Sequence, residues 1–526
     1  MAATAHKRSF AWALAVGFAG MALFVLITQN RKVGFETGHH GWVSSHTLAI
    51  VEHATSDNGF VGYSVRFVDD AGAIDYDYFD RSPLFFSAGM HLLLERFAPT
   101  LSSKVYLARQ AMNVIFLATL AAGFLLLRDL SGDPIAAAGA ALLAFSGSYL
   151  IYYKDMVHFD QPALLGITVL LWAILAYRRG GSRRWLYAAA IFAVSLGRGY
   201  IALTVLLFWA AAELVLRLHD ARYRFGAAIG SWLRSDAFRV LALAAILIAL
   251  YLGYNIAAEA RLRGVSWRDT SIVESAVWRS GLAPSGKPAS PHVYDWTNYA
   301  PLLAERLAKS VVPYAAVGSV RRTVDKSSTA AVLFSAAVLC AAAVLLLARF
   351  RMLPPADRPF YLLLLFSGFL WFIPMRRHVA PHDYTAIYFI GLLLALFEAA
   401  FSRIPAGFRL AGLAAAVMVF IASNLGVNAD HSRIAETVNS YTYDFERVLE
   451  RLAPGDRVHV VGGYRALLSR RPYAAGFYLS RQDIAPLDRA DFVVSGERDF
   501  AAEKTLTPEN REVFLFRSIP RRGAPL

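Results

Sequence analysis

The sequence predicts a polytopic α-helical membrane protein that ends in a small water-soluble α/β domain. Of its 526 residues, 56% are apolar and 17% are charged, which is more apolar than a usual soluble domain. Apolar runs of bilayer-spanning or nearly spanning length recur between residues 10 and 422, whereas short strand-like runs follow residue 455. We therefore divide the chain into a membrane part, residues 1–425, and a soluble part, residues 426–526.

About 11 apolar runs qualify as membrane-spanning helices. They cover residues 10–28, 105–127, 134–151, 162–177, 185–196, 200–216, 240–254, 330–347, 360–374, 384–401 and 410–422. The first run is long for a signal-peptide core and no small-residue cleavage site follows it, so a retained anchor is favoured over a cleaved signal. The short run at 185–196 forms either a tight hairpin or a re-entrant pair with its successor.

The basic residues of the short loops predict the orientation. With the N-terminus inside, every inside loop is basic, and alternation places outside residues 29–104, 156–161, 257–328, 376–383 and the tail from 426. This pattern predicts a multi-pass protein of the bacterial inner (plasma) membrane with a cytoplasmic N-terminus and a periplasmic C-terminal domain. The chain has 53 Lys and Arg residues and 39 Asp and Glu residues. Basic cytoplasmic loops account for this excess of positive charge, so no nucleic-acid partner is predicted.

The tail reads as an α/β domain because strand-like runs at 456–461, 491–495 and 513–516 alternate with helical patterns. The turn at Gly462-Gly463 resembles a nucleotide-binding loop only weakly, and the end of a strand explains it better. Cys340 is the single cysteine, which excludes an intramolecular disulfide and a cysteine-based metal site.

The loop at residues 152–162 is the first candidate for a functional site, because ionisable groups at the mouth of a membrane segment are costly. Asp160 precedes Gln161-Pro162 at the start of a helix, so it is either an N-cap or a carboxylate facing a polar substrate. Capping does not explain Lys154, Asp155 and His158 in the same loop.

The first outer loop supplies candidates for a general base. Glu36, His39 and His40 follow the first helix closely, and a carboxylate and two imidazoles titrate in a useful range. An exposed polar linker is the alternative. A fixed metal site is disfavoured because adjacent histidines often point apart.

Cations on the predicted outer side are candidates for binding an anion. Arg198 lies in a turn between two apolar runs, and Arg suits phosphate groups. Arg376, Arg377 and His378 contradict the positive-inside trend, which an anionic ligand such as a lipid phosphate would explain. The alternatives are a snorkelling Arg198 and simple contact with lipid headgroups.

These motifs occur in a recognisable order along residues 10–401. They are Glu36 to Trp42 after the first helix, Ser82-Pro83-Leu84 opening a loop helix, Arg109 in the second helix, Tyr152 to Asp160 before a later helix, Leu196-Gly197-Arg198-Gly199 where a Thr-Lys-Gly turn is usual, and Arg377-His378 with Tyr384 before a late helix. In this order they resemble the GT-C fold membrane glycosyltransferases, in particular the protein-mannosyltransferase and aminoarabinose-transferase branch (glycosyltransferase family 39-like).

The resemblance implies transfer of a sugar from a polyprenyl-phosphate donor to an acceptor at the outer membrane face, with inversion. It implies that the base comes from Glu36, His39 and His40, where the family usually has an Asp-Glu pair, and that Asp160 flanks the acceptor. The other site residues would bind the lipid phosphate and the sugar: Lys154, Asp155, His158, Arg198, Arg376, Arg377, His378 and Tyr384. No cofactor is required by the sequence, although some relatives use a divalent metal. Membrane lipid is a further partner, and the acceptor is a protein, a lipid or a glycan.

Two other classes of function stay open at this stage. A transporter or flippase for lipid-linked glycans would place ionisable residues near the middle of helices, whereas here they collect at helix ends. A structural membrane subunit with a partner-binding tail would leave the charges of the loops unexplained.

Overall fold

A computed structural model describes residues 16–29, 38–68, 71–78, 84–222, 224–274, 296–316, 329–372, 379, 382–449, 452–453, 455–460, 479, 481–495 and 513–515. Its α-helices are, in chain order, α1 Val16–Ile27, α2 Gly38–Glu52, α3 Leu84–Phe97, α4 Leu101–Ser131, α5 Pro134–Phe145, α6 Ser148–Tyr152, α7 Asp160–Arg178, α8 Arg183–Ser195, α9 Gly199–Asp220, α10 Phe225–Leu233, α11 Asp236–Arg263, α12 Trp296–Val311, α13 Thr329–Met352, α14 Arg358–Phe366, α15 Phe369–Phe372, α16 Ile390–Phe401 and α17 Arg409–Leu449. A 3-10 segment, Asp383–Phe389, leads directly into α16.

Six helical segments of the described chain are long and apolar enough to cross a membrane. They are α4, α7, α9, α11, Asp383–Phe401 and Ala406–Arg433. Two shorter apolar helices, α1 and α5, accompany them. The prediction of a multi-pass helical membrane protein is confirmed at this level, whereas the figure of about 11 spans, the inner membrane and the orientation stay predictions.

The centre of the helical part is built on α7 and the Asp383–Phe401 segment. In the apolar 18-residue stretches of these two segments, 72% and 83% of the residues are buried, whereas the corresponding share in α11 is 22%. Helix α4 packs on α5 and α7, and the ring of Phe116 meets that of Phe145 edge to face at 5.3 Å. The outer helices therefore present their apolar surface to the surroundings, while the inner ones support the loops at their ends.

Local sequence explains where the inner helices begin. Thr100 and Ser103 form a capping box that starts α4, with each side chain bonded to the backbone of the other residue. Asp133 accepts hydrogen bonds from Ile135 N and Ala136 N at the start of α5, and Pro134 occupies the first helical position.

Helix α17 is 41 residues long and crosses the position at which the sequence suggested a domain boundary. Hydropathy falls after residue 422, but no Pro follows before residue 449, so the helix continues beyond its apolar part. The end of the apolar run marks a change of surroundings and not the end of the helix. A boundary between residues 425 and 426 would fall inside α17, and the division into two domains stays a prediction.

One six-stranded sheet joins the predicted first outer loop, between α1 and α4, to the tail. Its strands are β1 Tyr63–Val68, β2 Ile74–Tyr78, β3 Arg457–Val460, β4 Asp483–Ile484, β5 Phe492–Ser495 and β6 Val513–Leu515. Their spatial order is β2-β1-β4-β3-β5-β6, with β1 and β2 antiparallel and the other pairs parallel. Strands β3, β5 and β6 coincide with the predicted ones, but the sheet is not confined to the tail.

The predicted first outer loop also contains α2. Most side chains of this helix are buried, including Val43, Leu48 and Val51. Strand β1, helix α3 and the loop before α7 cover α2. Helix α2 thereby becomes a wall of the candidate site.

Candidate functional site

The loop between α6 and α7 lies inside the protein and not at an open water interface. Lys154, Asp155, His158 and Asp160 are each at most 3% exposed. The sequence placed these residues at the water interface, and the cover from α2, α4 and α17 explains the difference. Buried ionisable groups need partners, and the partners divide them into two clusters.

The first is the Asp160 cluster, which consists of Asp160, His158, Arg198 and Tyr388. Oδ1 of Asp160 accepts a hydrogen bond from the Tyr388 hydroxyl at 2.5 Å and lies 3.1 Å from Nε of Arg198. Oδ2 lies 2.8 Å from Nδ1 of His158. The starts of α7 and α9 and the 3-10 segment before α16 thus meet at one carboxylate.

The contacts of His158 determine its tautomer. Nη2 of Arg198 lies 3.1 Å from Nε2 of His158 and can only donate, so Nε2 accepts and Nδ1 carries the hydrogen given to Asp160. Burial lowers the pKa of His158. The charge of Asp160 raises this pKa and the charge of Arg198 lowers it, and the net shift is downward. His158 is therefore neutral near pH 7.

Asp160 is not an N-cap, although that was one of the two readings of its position. The N-cap of α7 is Phe159, and Asp160 is the first helical residue. Its carboxylate binds Arg198, His158 and Tyr388 on other segments instead of the amides of its own helix. The alternative, a carboxylate facing a polar substrate, stays a prediction.

Gly197 brings the Arg198 turn against the start of α7. A Cβ atom at this position would lie 2.5 Å from the carbonyl oxygen of Phe159 and 2.7 Å from the amide nitrogen of Ala163. Only glycine permits this approach of two backbones. The pairing of Arg198 with Asp160 depends on it.

The second is the Asp155 cluster, which consists of Asp155, Arg109, His40 and His431. Oδ2 of Asp155 accepts hydrogen bonds from Nε and Nη2 of Arg109 at 3.0 and 2.5 Å, and Oδ1 lies 3.1 Å from Nε2 of His40. His431 belongs to α17, and its ring lies 5.2 Å from the ring of His40. Nδ1 of His431 lies 3.5 Å from Nη2 of Arg109. Four separate segments of the chain meet here.

Arg109 determines the charge state of this cluster. Burial alone would raise the pKa of Asp155, but the adjacent guanidinium and the hydrogen bond from His40 hold that pKa well below its usual range. Asp155 is therefore a carboxylate and accepts the hydrogen on Nε2 of His40. General bases in enzymes are often histidines that a carboxylate holds in one orientation, as Asp155 holds His40.

Aromatic rings connect the two clusters. The ring of Tyr384 lies 5.4 Å from that of His158 and 6.2 Å from that of Tyr153, and Tyr153 stacks on His40 at 6.1 Å. The hydroxyl of Tyr153 donates to Oδ1 of Asp383 at 2.7 Å. Tyr384 therefore lies beside the predicted site residues, although its proposed contact with a substrate stays a prediction.

The side chain of Lys154 binds two asparagines of α17. Its ammonium group donates to Oδ1 of Asn428 at 2.9 Å and to Oδ1 of Asn424, and the amides of both asparagines donate to Thr28. These contacts join α6, α17 and the end of α1. A direct role of Lys154 in binding a substrate stays a prediction.

The remaining predicted residues lie partly or wholly outside the described chain. Glu36, Arg376, Arg377 and His378 fall outside the described residues, and His39 belongs to α2 without a described side chain. Their roles stay predictions. In the part of the chain that the structure describes, no three His, Cys, Asp or Glu side chains are grouped as metal ligands.

Sequence reasoning gave no site role to three members of the clusters, and of these it named only Arg109, as part of a motif. Tyr388 lay inside a predicted apolar span and carried no signal of its own. His431 lay nine residues beyond the last predicted span, in the part assigned to the soluble domain, and only the continuity of α17 brings it to the site.

No family model matches the sequence, and no curated protein matches it. Among solved structures, ArnT from Cupriavidus metallidurans bound to undecaprenyl phosphate matches with a TM-score of 0.55 and 13% identity, over 93% of this chain and 87% of that one. The apo state of the same protein gives 0.41 and 12%, over 93% and 86%. The Archaeoglobus fulgidus oligosaccharyltransferase with Zn and sulfate gives 0.48 and 15%, over 90% and 62%. The match to undecaprenyl-phosphate-bound ArnT confirms the GT-C fold.

Proposed function

We propose that this GT-C fold protein is a membrane glycosyltransferase that moves a sugar from a polyprenyl-phosphate donor to an acceptor hydroxyl at the periplasmic face of the bacterial inner membrane. The fold it shares with ArnT supports the donor class, because that ArnT structure holds undecaprenyl phosphate. The observation that carries the proposal is the buried pair of Asp155 and His40, which supplies an oriented base beside a second cluster of charges.

The proposed reaction is a single displacement with inversion. The acceptor oxygen attacks the anomeric carbon, the bond from that carbon to the phosphate oxygen breaks, and polyprenyl phosphate leaves with the bonding electrons. The acceptor proton passes to Nδ1 of His40, whose Nε2 hydrogen is held by Asp155. Arg109 keeps Asp155 ionised, so the imidazolium that forms is stabilised.

The leaving phosphate needs positive charge where its negative charge develops. Arg198 is a guanidinium that Asp160 and His158 hold in one orientation. Burial opposes its charge, but Asp160 holds the pKa of Arg198 well above its ordinary value, so it stays a cation. We assign binding of the leaving phosphate to Arg198, together with Arg376, Arg377 and His378 of the predicted outer segment. Asp160 then orients Arg198.

The test begins with mass spectrometry of envelope glycans from cells with and without the gene, which identifies the donor sugar and the acceptor. Transfer is then measured in vesicles with the wild type, His40→Gln and, as a control, His219→Gln at the exposed far end of α9. We expect His40→Gln to lower kcat by about 10²–10⁴, since that is the usual contribution of a general base. The control should match the wild type, and binding of undecaprenyl phosphate should be unchanged in both variants.

Two results would contradict the proposal. Full transfer by His40→Gln would remove the base from the mechanism. Movement of a lipid-linked glycan across the vesicle membrane, with no new glycosidic bond, would show a flippase instead.

A further inference from the structure

A polar pocket lies between the first outer loop and the tail, apart from the two clusters. Its volume is about 580 Å³, within the ~300–1,000 Å³ usual for small-ligand sites. It lies between α2, α3, β1 and the segment before β3. The lining residues are Glu52, His53, Thr55, Tyr63, Arg66, His91, Glu95, Gly455 and Arg481.

Among the described lining residues two carboxylates, Glu52 and Glu95, face two guanidinium groups, those of Arg66 and Arg481. Glu52 is buried and accepts hydrogen bonds from Lys104 at 2.8 Å and from Arg481 at 2.5 Å. Arg481 also reaches Glu95 at 3.3 Å, and Arg66 pairs with Asp483. Each carboxylate thus has a cation beside it, so the pocket favours neither an anion nor a cation strongly.

The histidines and the tyrosine of the lining offer ring nitrogens, a hydroxyl and an aromatic face. Nδ1 of His53 donates to the carbonyl oxygen of Tyr63 at 2.6 Å, and Nδ1 of His91 donates to that of Val51 at 3.0 Å. The rings of His53 and Tyr63 stack at 3.9 Å. Among the described lining residues Gly455 alone lacks a polar side chain, whereas peptide recognition usually needs apolar side pockets.

We propose that this pocket binds a neutral, polyhydroxylated ligand, and that this ligand is the sugar portion of the acceptor. The dense alternation of donors and acceptors suits hydroxyl groups, which both donate and accept. The assignment to an acceptor rests on the proposed function, whereas the binding of a neutral saccharide does not.

The pocket and the Asp155 cluster share two helices. Glu52 and His40 both lie on α2, about 18 Å apart along its axis, and Lys104 and Arg109 both lie on α4, about 7.5 Å apart. An extended acceptor held in the pocket would therefore reach towards His40. Binding at a distance from the reacting hydroxyl is a usual source of specificity.

The test uses the full-length protein in lipid nanodiscs and saturation-transfer NMR with glucose, galactose, N-acetylglucosamine and maltotriose. Thr55→Trp fills the pocket, and Ser56→Trp places the same side chain on the neighbouring exposed residue as a control. We expect saccharide signals for the wild type and Ser56→Trp and their loss in Thr55→Trp. Undecaprenyl phosphate should bind all three proteins alike, which shows that Thr55→Trp is folded.

A second, conservative variant tests the pocket without adding a bulky side chain that could disturb folding. Glu95→Gln keeps the volume of the side chain and removes one acceptor charge, so saccharide affinity should fall by about tenfold. The inference is overturned if the wild type binds none of these saccharides, if either pocket variant binds them as the wild type does, or if glucose 6-phosphate or the peptide Gly-Ser-Gly binds more tightly. None of these results depends on transfer, so they can fail or succeed separately from the His40 experiment.

Discussion

Asp160 and Arg198 are buried charges that depend on one another. Asp160 is fully buried and Arg198 is 6% exposed, and the two side chains are 3.1 Å apart. Removing one member of such a pair leaves an uncompensated charge, which typically costs about 3–5 kcal/mol. The pair therefore couples the stability of the site to its chemistry.

This coupling gives a prediction for single and double variants. Asp160→Asn should abolish transfer and lower the Tm in a thermal-shift assay, because Arg198 loses its carboxylate. The double variant Asp160→Asn/Arg198→Gln removes both charges and should recover part of the Tm, since replacing a buried pair costs less than breaking it. It should not recover transfer. An Asp160→Asn protein as stable as the wild type would show that the pair is not buried as described.

The two clusters also predict the response of stability to acid. The pKa of His158 is lowered in the folded protein, so its contribution is complete above the unfolded value of about 6.5 and is lost as the pH falls from there to the folded pKa. The pKa of Asp155 is also lowered, so its contribution is lost below about pH 3.9. The Tm of the wild type should fall between pH 7 and 5.5, and less steeply in His158→Asn. An equal slope in both proteins would contradict a neutral, buried His158.

The sequence predicted candidate residues better than their contacts. Ionisable groups at helix ends identified His158, Asp160 and Arg198 as candidates, since such groups are unusual there. Nothing local showed that Tyr388 would complete the Asp160 cluster. Side-chain pairing between segments over 200 residues apart depends on the packing of helices, which hydropathy does not report.

At the scale of elements, hydropathy located the helices but not their ends or breaks. The run predicted at 134–151 is divided into α5 and α6 at Ser146-Gly147. There the carbonyl of Ser146 accepts from Tyr314 N at 2.9 Å and Ser148 N donates to Val312 O at 3.1 Å. A segment more than 160 residues away thus interrupts the helix, and no local pattern predicts that.

The turn between α8 and α9 gives a prediction at this scale. Gly197→Ala would push the turn away from the start of α7, and overpacking of this kind costs about 1–3 kcal/mol. We expect a lower Tm and a loss of transfer as Arg198 moves from Asp160. Gly226→Ala is the matched control, because a Cβ atom there meets nothing within 4 Å. Equal Tm values for the two variants would mean that the approach at Gly197 is not required.

At the scale of the whole molecule, the sheet ties the first outer loop to the tail. Strands β1 and β2 would be a two-stranded hairpin by themselves, which is marginal in water. Strand β1 pairs with β4 of the tail, and Arg66 and Asp483 form an ion pair across the same edge. The sequence assigned β3 to β6 to a separate domain because pairing between distant strands leaves no local signal.

Two arginines of the tail should differ in their effect on this connection. Arg481 pairs with Glu52, which is 2% exposed at its side chain and belongs to α2, whereas Arg457 pairs with the exposed Asp491 within the tail. Exposed ion pairs contribute little, so Arg457→Gln should leave the protein unchanged. Arg481→Gln should loosen the tail from α2 and speed hydrogen exchange in β1 by on the order of tenfold. Because α2 carries His40, transfer should fall as well. Unchanged exchange in Arg481→Gln, or an equal effect of both variants, would show that the strands alone hold the tail in place.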